Sequence, residues 1–376
     1  MASFQPDVVQ ILGSVTDPRL DRTKAHNLCS ILVGTLTAVL CGGGSYVEAA
    51  DFMESQVDWL SQFVDMRNGA PSHDTISRVF RLLNPVELSK AFQDCLELLQ
   101  VKLTGKVIAI DGKCLRGSQD RETGQSAIYM VSAWAVEAGL VLGQIKVNEK
   151  SNEITAIPEL LSLLDLRGAI ITIDAMGTQR KIAQAIHDGG GDYVLAVKAN
   201  QPDLHDAVKS VLDIALDTPH ESPEHSAVSV LDNQHGRLEI RRYVALNADA
   251  IEWAGISDKW PGLASVAAVE SQVTKDGKTV TERRYYISSL PPRAKLIGKA
   301  IRSHWGIENS LHWVLDTTFR EDHSRIRKDN SPENMVITRH FAMNLLKREH
   351  AGTASIKRKR NKAAFEPAYR TLLLTI

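Results

Sequence analysis

Two aspartates in this chain each close an apolar run, and their separation is one that a fold could bring together. The first ends Lys106-Val-Ile-Ala-Ile-Asp111 and is followed at once by Gly112, Lys113 and Arg116. The second ends Ala169-Ile-Ile-Thr-Ile-Asp174 and is followed by Ala175, Met176 and Gly177. Branched residues favour strands, and glycine ends one by allowing backbone angles that branched residues cannot adopt. Each strand would thus carry a carboxylate at the edge of a sheet. Taken singly, Asp111 reads as a strand-ending turn residue. Two adjacent carboxylates, however, are costly unless a cation lies between them. Oxygen ligands suit Mg²⁺ or Mn²⁺, which stay partly hydrated and bind phosphates. Two such ions can activate a water or hydroxyl and stabilise the leaving oxygen of a phosphodiester.

That chemistry needs a third acid, for which a downstream helix is the natural source. Glu308 is the candidate, in the stretch Ile301-Arg302-Ser-His304-Trp305-Gly-Ile-Glu308-Asn309-Ser-Leu-His312-Trp313. A surface ion pair is the plainer reading of Glu308. His304, Glu308 and His312 also fall at i, i+4 and i+8 on one helix face, a possible transition-metal site. The spacing is not HExxH, however, and no fourth ligand is evident.

The elements around these residues follow from periodicity. Residues from about 5 to 100 read as mostly helical, with Asp21 preceding an apolar stretch that runs to Cys41 and a second helical run from Tyr46 to Val64. Ser72 after Pro71 caps a short helix carrying His73, Asp74, Arg78 and Arg81, which suits either a solvated face or DNA phosphates. From Lys106 the pattern turns to strand. Residues 106–111, Ala127–Val136 and Leu140–Val147 form a meander, and Ser151-Asn152-Glu153 caps an amphipathic helix that leads to the Asp174 strand. In the order β-β-β-α-β, the first and fourth strands can lie side by side in parallel, with Asp111 beside Asp174. Thr178–His187 reads as a helix and Tyr193–Lys198 as a strand. Residues 264–288 read as a hairpin around Asp276-Gly277, and everything past Pro291-Pro292 as helical.

A length of 376 residues gives room for two or three domains, and 43% hydrophobic with 24% charged residues is ordinary for a soluble globular protein. The net charge of −1 conceals an asymmetry: residues 290–376 carry 17 basic against 8 acidic side chains. A cationic end on a balanced chain suits a polyanion. The four cysteines lack metal-finger spacing and read as reduced cytosolic thiols. The apolar run 31–41 is too short to span a bilayer and no leader is evident, so the expected place is the cytoplasm.

Several motifs together resemble the DDE transposases of bacterial insertion sequences, in particular the H-repeat-associated group with its N-terminal associated domain. They are Gly69-Ala-Pro-Ser-His-Asp-Thr75, Ile108-Ala-Ile-Asp-Gly-Lys113 with Leu115-Arg-Gly117, Lys150-Ser-Asn-Glu-Ile154 and Ile173-Asp-Ala-Met176. His235-Gly-Arg237, Tyr285-Tyr-Ile-Ser-Ser289 and His304-Trp-Gly-Ile-Glu-Asn309 with Leu311-His-Trp-Val-Leu-Asp316 complete the set. The resemblance spans essentially the whole chain. It implies an α/β (α+β) fold: a ribonuclease H-like catalytic core at 105–350, with a β-rich insertion at about 200–288. A helical transposase-associated domain would cover 1–104 and a basic C-terminal tail 351–376. It implies that Asp111, Asp174 and Glu308 are the catalytic acids and hold two Mg²⁺ ions, with Mn²⁺ as an alternative. The partners it implies are the element's terminal inverted repeats and target DNA, met as a homodimer at the nucleoid and with no membrane. Related transposases often carry a Tyr/Arg/Glu/Lys signature around the third acid. Here its arginine position is His304 and its lysine position Leu315, so those contacts do not carry over. His304, Arg302, His312 and Arg320 stand as DNA contacts in their place, with Lys113, Arg116, Lys198 and Arg237 on backbone phosphates. The expected activity is cleavage at the element's ends followed by strand transfer. The alternatives are a nuclease that cuts without joining and an inactive or domesticated DNA-binding relative.

Overall fold

The structure, a computed structural model, describes residues 7–98, 102–120, 124, 126–147, 152–234, 237–349 and 354–375. Six helices come first: α1 (Asp7–Gly13), α2 (Leu28–Leu40), α3 (Tyr46–Ser55), α4 (Val57–Leu60), α5 (His73–Leu82) and α6 (Pro85–Leu98). The α2 helix starts seven residues later than Asp21 suggests, because Asn27 caps it by accepting from the Cys29 N–H. The run expected from Tyr46 to Val64 breaks at Gln56 into α3 and α4 and ends at Leu60. Ser72 caps α5, accepting from the Thr75 N–H as its position suggested.

Strands β1 (Val107–Cys114), β2 (Tyr129–Ala135) and β3 (Leu140–Val147) form the antiparallel meander. Helix α7 (Glu153–Ser162) returns the chain to β4 (Ile170–Ile173), and α8 (Arg180–Asp188) to β5 (Asp192–Val197). The Asn152 side chain makes no capping bond to α7, and Ser151 lies outside the described residues. β4 pairs with β1 in parallel, with Ile110 opposite Ile173, so Asp111 and Asp174 are the next residue of each chain. The order in this half of the sheet is β3-β2-β1-β4-β5, with β1 beside β4 as the β-β-β-α-β pattern suggested.

Gly112 does not end β1. The strand runs on to Cys114, with Gly112 paired to Val131 and Lys113 to Met130. A Cβ on Gly112 would stand 2.3 Å from both Glu153 Oε1 and Tyr129 Cε1, so the glycine serves close approach rather than a turn.

Between β5 and the Glu308 helix lie α9 (Pro202–Asp217) and strands β6 (His225–Gln234), β7 (Arg237–Asn247), β8 (Ser265–Lys275) and β9 (Lys278–Ser288). These four strands continue the same sheet, because β9 pairs antiparallel with β5, giving β3-β2-β1-β4-β5-β9-β8-β7-β6. The β8–β9 turn has Asp276 at φ 51° and Gly277 at φ 74°, as a two-residue hairpin loop requires.

The chain then forms α10 (Ala294–Ile307), a π-helical turn over Glu308–His312, α11 (Trp313–Thr317) and α12 (Ser331–Arg348). Residues 354–375 form α13 (Ile356–Phe365) and α14 (Pro367–Leu374), helical as the pattern past Pro291-Pro292 suggested. Tyr369, Leu373 and Leu374 share one core with α1–α6 and α12. The cations follow them inside. The Arg360 guanidinium donates to Val39 O at 2.7 Å, at the C-terminal end of α2, and Lys359 Nζ donates to Leu346 O at 2.9 Å, near that of α12. Helix C-termini present unpaired carbonyls and partial negative charge, which suits buried cations. Arg370 stacks on Trp59, with its guanidinium 4.8 Å from the ring centroid. No helix among the described residues is long and apolar enough to cross a membrane.

Candidate active site

Asp111 lies on β1 beside Ser132 of β2, and Asp174 lies one residue past β4. Asp174 accepts from the Met176 and Gly177 N–H groups at 3.1 and 3.4 Å, which fixes it at the mouth of the following turn. α10 packs across β1 and β4 and brings Glu308 to the same end of the sheet. Asp111, Asp174 and Glu308 line one cleft of about 410 Å³.

The π turn determines what meets Glu308. His312 Nδ1 stands 3.1 Å from Glu308 Oε2 and 3.6 Å from Asp111 Oδ2. The ligand atoms of Asp111, Glu308 and His312 all lie within 4.8 Å of one another. Single π turns inside α-helices are frequent at functional sites. His304 does not join this group, although the helical spacing placed it on the same face. Its Nδ1 pairs with Thr172 Oγ1 at 3.0 Å. Burial lowers the pKa of both rings, so each favours its neutral form.

Burial, reinforced by the charges of Asp174, Glu153 and Glu308, pushes the Asp111 carboxyl up to about 7. Glu153 is thus a fourth carboxylate of the cluster. Its own pKa is raised, mainly by burial and further by Asp174, against a lowering hydrogen bond from Tyr129. Strand direction was the signal for Glu153. β1 and β3 are both antiparallel to β2, so the chain leaves β3 and starts α7 at the sheet end that carries Asp111.

The expected cationic contacts divide. Lys198 is exposed and lines the cleft, and Arg302 is exposed in an adjoining cleft with Arg241, Arg284 and Trp305. Arg116 has a side chain 83% exposed, 4.0 Å from Asp322. Lys113 is not available to a phosphate: its Nζ lies 2.5 Å from Asp316, 3.0 Å from Glu321 and 3.6 Å from Asp322, and its side chain is 12% exposed. Burial opposes its charge, but Glu321 and Asp316 outweigh it and raise its pKa. Arg320, with a left-handed backbone (φ 54°), lines a separate cleft of about 540 Å³ between the N-terminal helices and the loop after α11, beside His73, His323 and Arg325. Arg81 is tied to Asp329 at 2.6 Å. The side chain of Arg237 and residues His235 and Gly236 lie outside the described set, as does Lys150. The sequence reading also passed over Arg284 and Trp305. The Arg284 guanidinium sits 5.1 Å from the Trp305 ring centroid, and both line the wall shared by the two clefts.

The family model described as Transposase DDE domain matches residues 102–345, and that described as DDE_Tnp_1-associated matches residues 9–95. The chain is 38% identical to the "H repeat-associated putative transposase YhhI" of Escherichia coli (strain K12) over 96% of each chain. It is 40% identical to the "Putative transposase YncI" of Escherichia coli O157:H7, over 96% of this chain and 93% of that one. It is also 39% identical to "Putative protein YbfL" of strain K12, over 96% of each. Among solved structures it resembles the piggyBac transposase synaptic complex with hairpin DNA, at a TM-score of 0.46 and 10% identity, over 98% of this chain and 79% of that one.

Proposed function

The chain belongs to the transposases with a DDE domain, and from that premise we propose that it cuts DNA at the ends of a mobile element and joins them to target DNA by divalent-metal-dependent phosphoryl transfer. Asp111, Asp174 and Glu308 are the acids of this reading. The observation that carries it is their convergence from β1, the end of β4 and the π turn onto one cleft, around a carboxyl whose burial and acidic neighbours disfavour its ionised form. The donor set fits a divalent ion. Carboxylate oxygens of Asp111 and Glu308 lie within 4.8 Å of each other, close enough to share one ion. Mg²⁺, as two ions, or Mn²⁺ would be held by the three acids, neutralising them and polarising the phosphodiester.

The chain's own groups supply the rest. A water oriented by the carboxylate cluster attacks the phosphorus at the element's end, and the bond from phosphorus to O3′ breaks to free a 3′-hydroxyl. That hydroxyl then attacks a target phosphodiester in the same cleft and displaces a target 3′-oxygen, so no covalent protein–DNA intermediate forms. Lys198, Arg302 and Arg116 hold backbone phosphates from the rim, and the helical N-terminal layer contacts the element's ends. The assembly on DNA is a homodimer, and the place of action is the cytoplasm, at the nucleoid. Such contacts make affinity fall steeply with salt.

Two other readings share these residues: a nuclease that cuts without joining, and a DNA-binding relative without activity. Precut element ends incubated with labelled target DNA and Mg²⁺ separate them. Joined product is the expected result. Cutting of intact ends with no joining from precut ends would favour the nuclease, and neither reaction the inactive relative.

A further inference from the structure

Building on the reading of Asp111 and Glu308 as metal ligands, we propose that His312 Nδ1 is a third donor to the same ion, making a mixed oxygen–nitrogen centre. Donors on adjacent corners of an octahedral ion with bonds of about 2.1 Å stand roughly 3 Å apart. His312 Nδ1 meets that spacing, at 3.1 Å from Glu308 Oε2 and 3.6 Å from Asp111 Oδ2. The ring is not a solvated surface group: His312 is 5% exposed, and its Nε2 is buried without a hydrogen-bond partner. Its backbone lies in the same π turn as Glu308, so one local element sets both donors. The other imidazole of the helix does not compete, since His304 Nδ1 is turned to Thr172 Oγ1 and His304 is not in the group whose ligand atoms lie within 4.8 Å of one another.

An imidazole donor changes which ion the centre prefers. Mg²⁺ favours carboxylate and water oxygens, whereas later divalent ions accept imidazole readily and Mn²⁺ accepts both. His312 therefore tilts this centre toward Mn²⁺ relative to an all-carboxylate one.

The test uses the full chain loaded with Mn²⁺ and needs no DNA. Electron spin echo modulation should show ¹⁴N coupling from a directly bound imidazole. The coupling should vanish in His312→Gln and persist in His304→Gln. His312→Gln should also lower Mn²⁺ affinity by roughly tenfold or more and Mg²⁺ affinity by less. Mn²⁺ bound to the wild-type chain without ¹⁴N coupling overturns the inference while leaving the acids as ligands. Mn²⁺ binding unchanged by Asp111→Asn overturns the acid reading as well. The wild-type spectrum decides the matter even if His312→Gln fails to fold.

Discussion

Asp111 is a carboxyl whose ionisation burial holds back toward neutral pH, and this has a measurable consequence for stability. Its folded pKa, about 7, lies above the ordinary value of 3.8, so the folded chain binds the proton more tightly than the unfolded one. The associated stability is fully present below about pH 4 and is lost as pH rises through 7. In a chelating buffer, Asp111→Asn should therefore gain on the wild type across that window, by about 4 kcal/mol at pH 8, in thermal melts. Equal melting curves for the two chains from pH 4 to 8 would contradict the account. Lys113 makes the opposite case. Removing a cation from three carboxylates leaves buried charge unpaired, so Lys113→Met should cost roughly 3–5 kcal/mol in denaturant titrations. It should leave the salt dependence of DNA binding unchanged. Arg302→Ala should reduce that salt slope by about one at little cost in stability.

At the scale of elements, the site depends on how closely α7 approaches β1. Gly112→Ala would drive a methyl into Glu153 and Tyr129, so it should cost roughly 1–3 kcal/mol and weaken Mn²⁺ binding in calorimetry. Unchanged binding would mean that Glu153 lies outside the functional cluster. The meander, the β8–β9 hairpin and the Asp111–Asp174 pair were legible in the sequence, because alternation and turn residues are local signals. The continuation of the sheet from β5 to β9 was not, since those strands pair across about ninety residues and no local pattern names the partner. α9 was missed too, and Gly112 was misread because glycine at a close approach looks the same in sequence as glycine at a turn. Residue type and position along the chain singled out the three carboxylates that line the cleft. Glu153 required the direction of β3.

For the molecule as a whole, the cationic C-terminal segment behaves partly as core. Arg360, Lys359 and Arg370 spend their charge on helix carbonyls, Gln56 and aromatic rings, while Lys198, Arg302, Arg320 and Arg325 remain exposed along the clefts. Net charge along the sequence could not separate these groups, because burial does so. Deleting residues 355–376 should uncover the apolar face of the N-terminal layer, lowering the melting temperature and raising binding of a hydrophobic dye. A truncated chain that melts like the full one would contradict a shared core. The most direct test of the central claim is cleavage of a duplex carrying the inverted repeats that flank the coding DNA, with wild-type chain and Asp111→Asn compared in Mg²⁺, in Mn²⁺ and in chelator. The account predicts a free 3′-hydroxyl at the repeat's end with wild type and metal only, and an Asp111→Asn chain that still binds the repeat but does not cut it. Cutting by Asp111→Asn at the wild-type rate, or by the wild type in chelator, would contradict it.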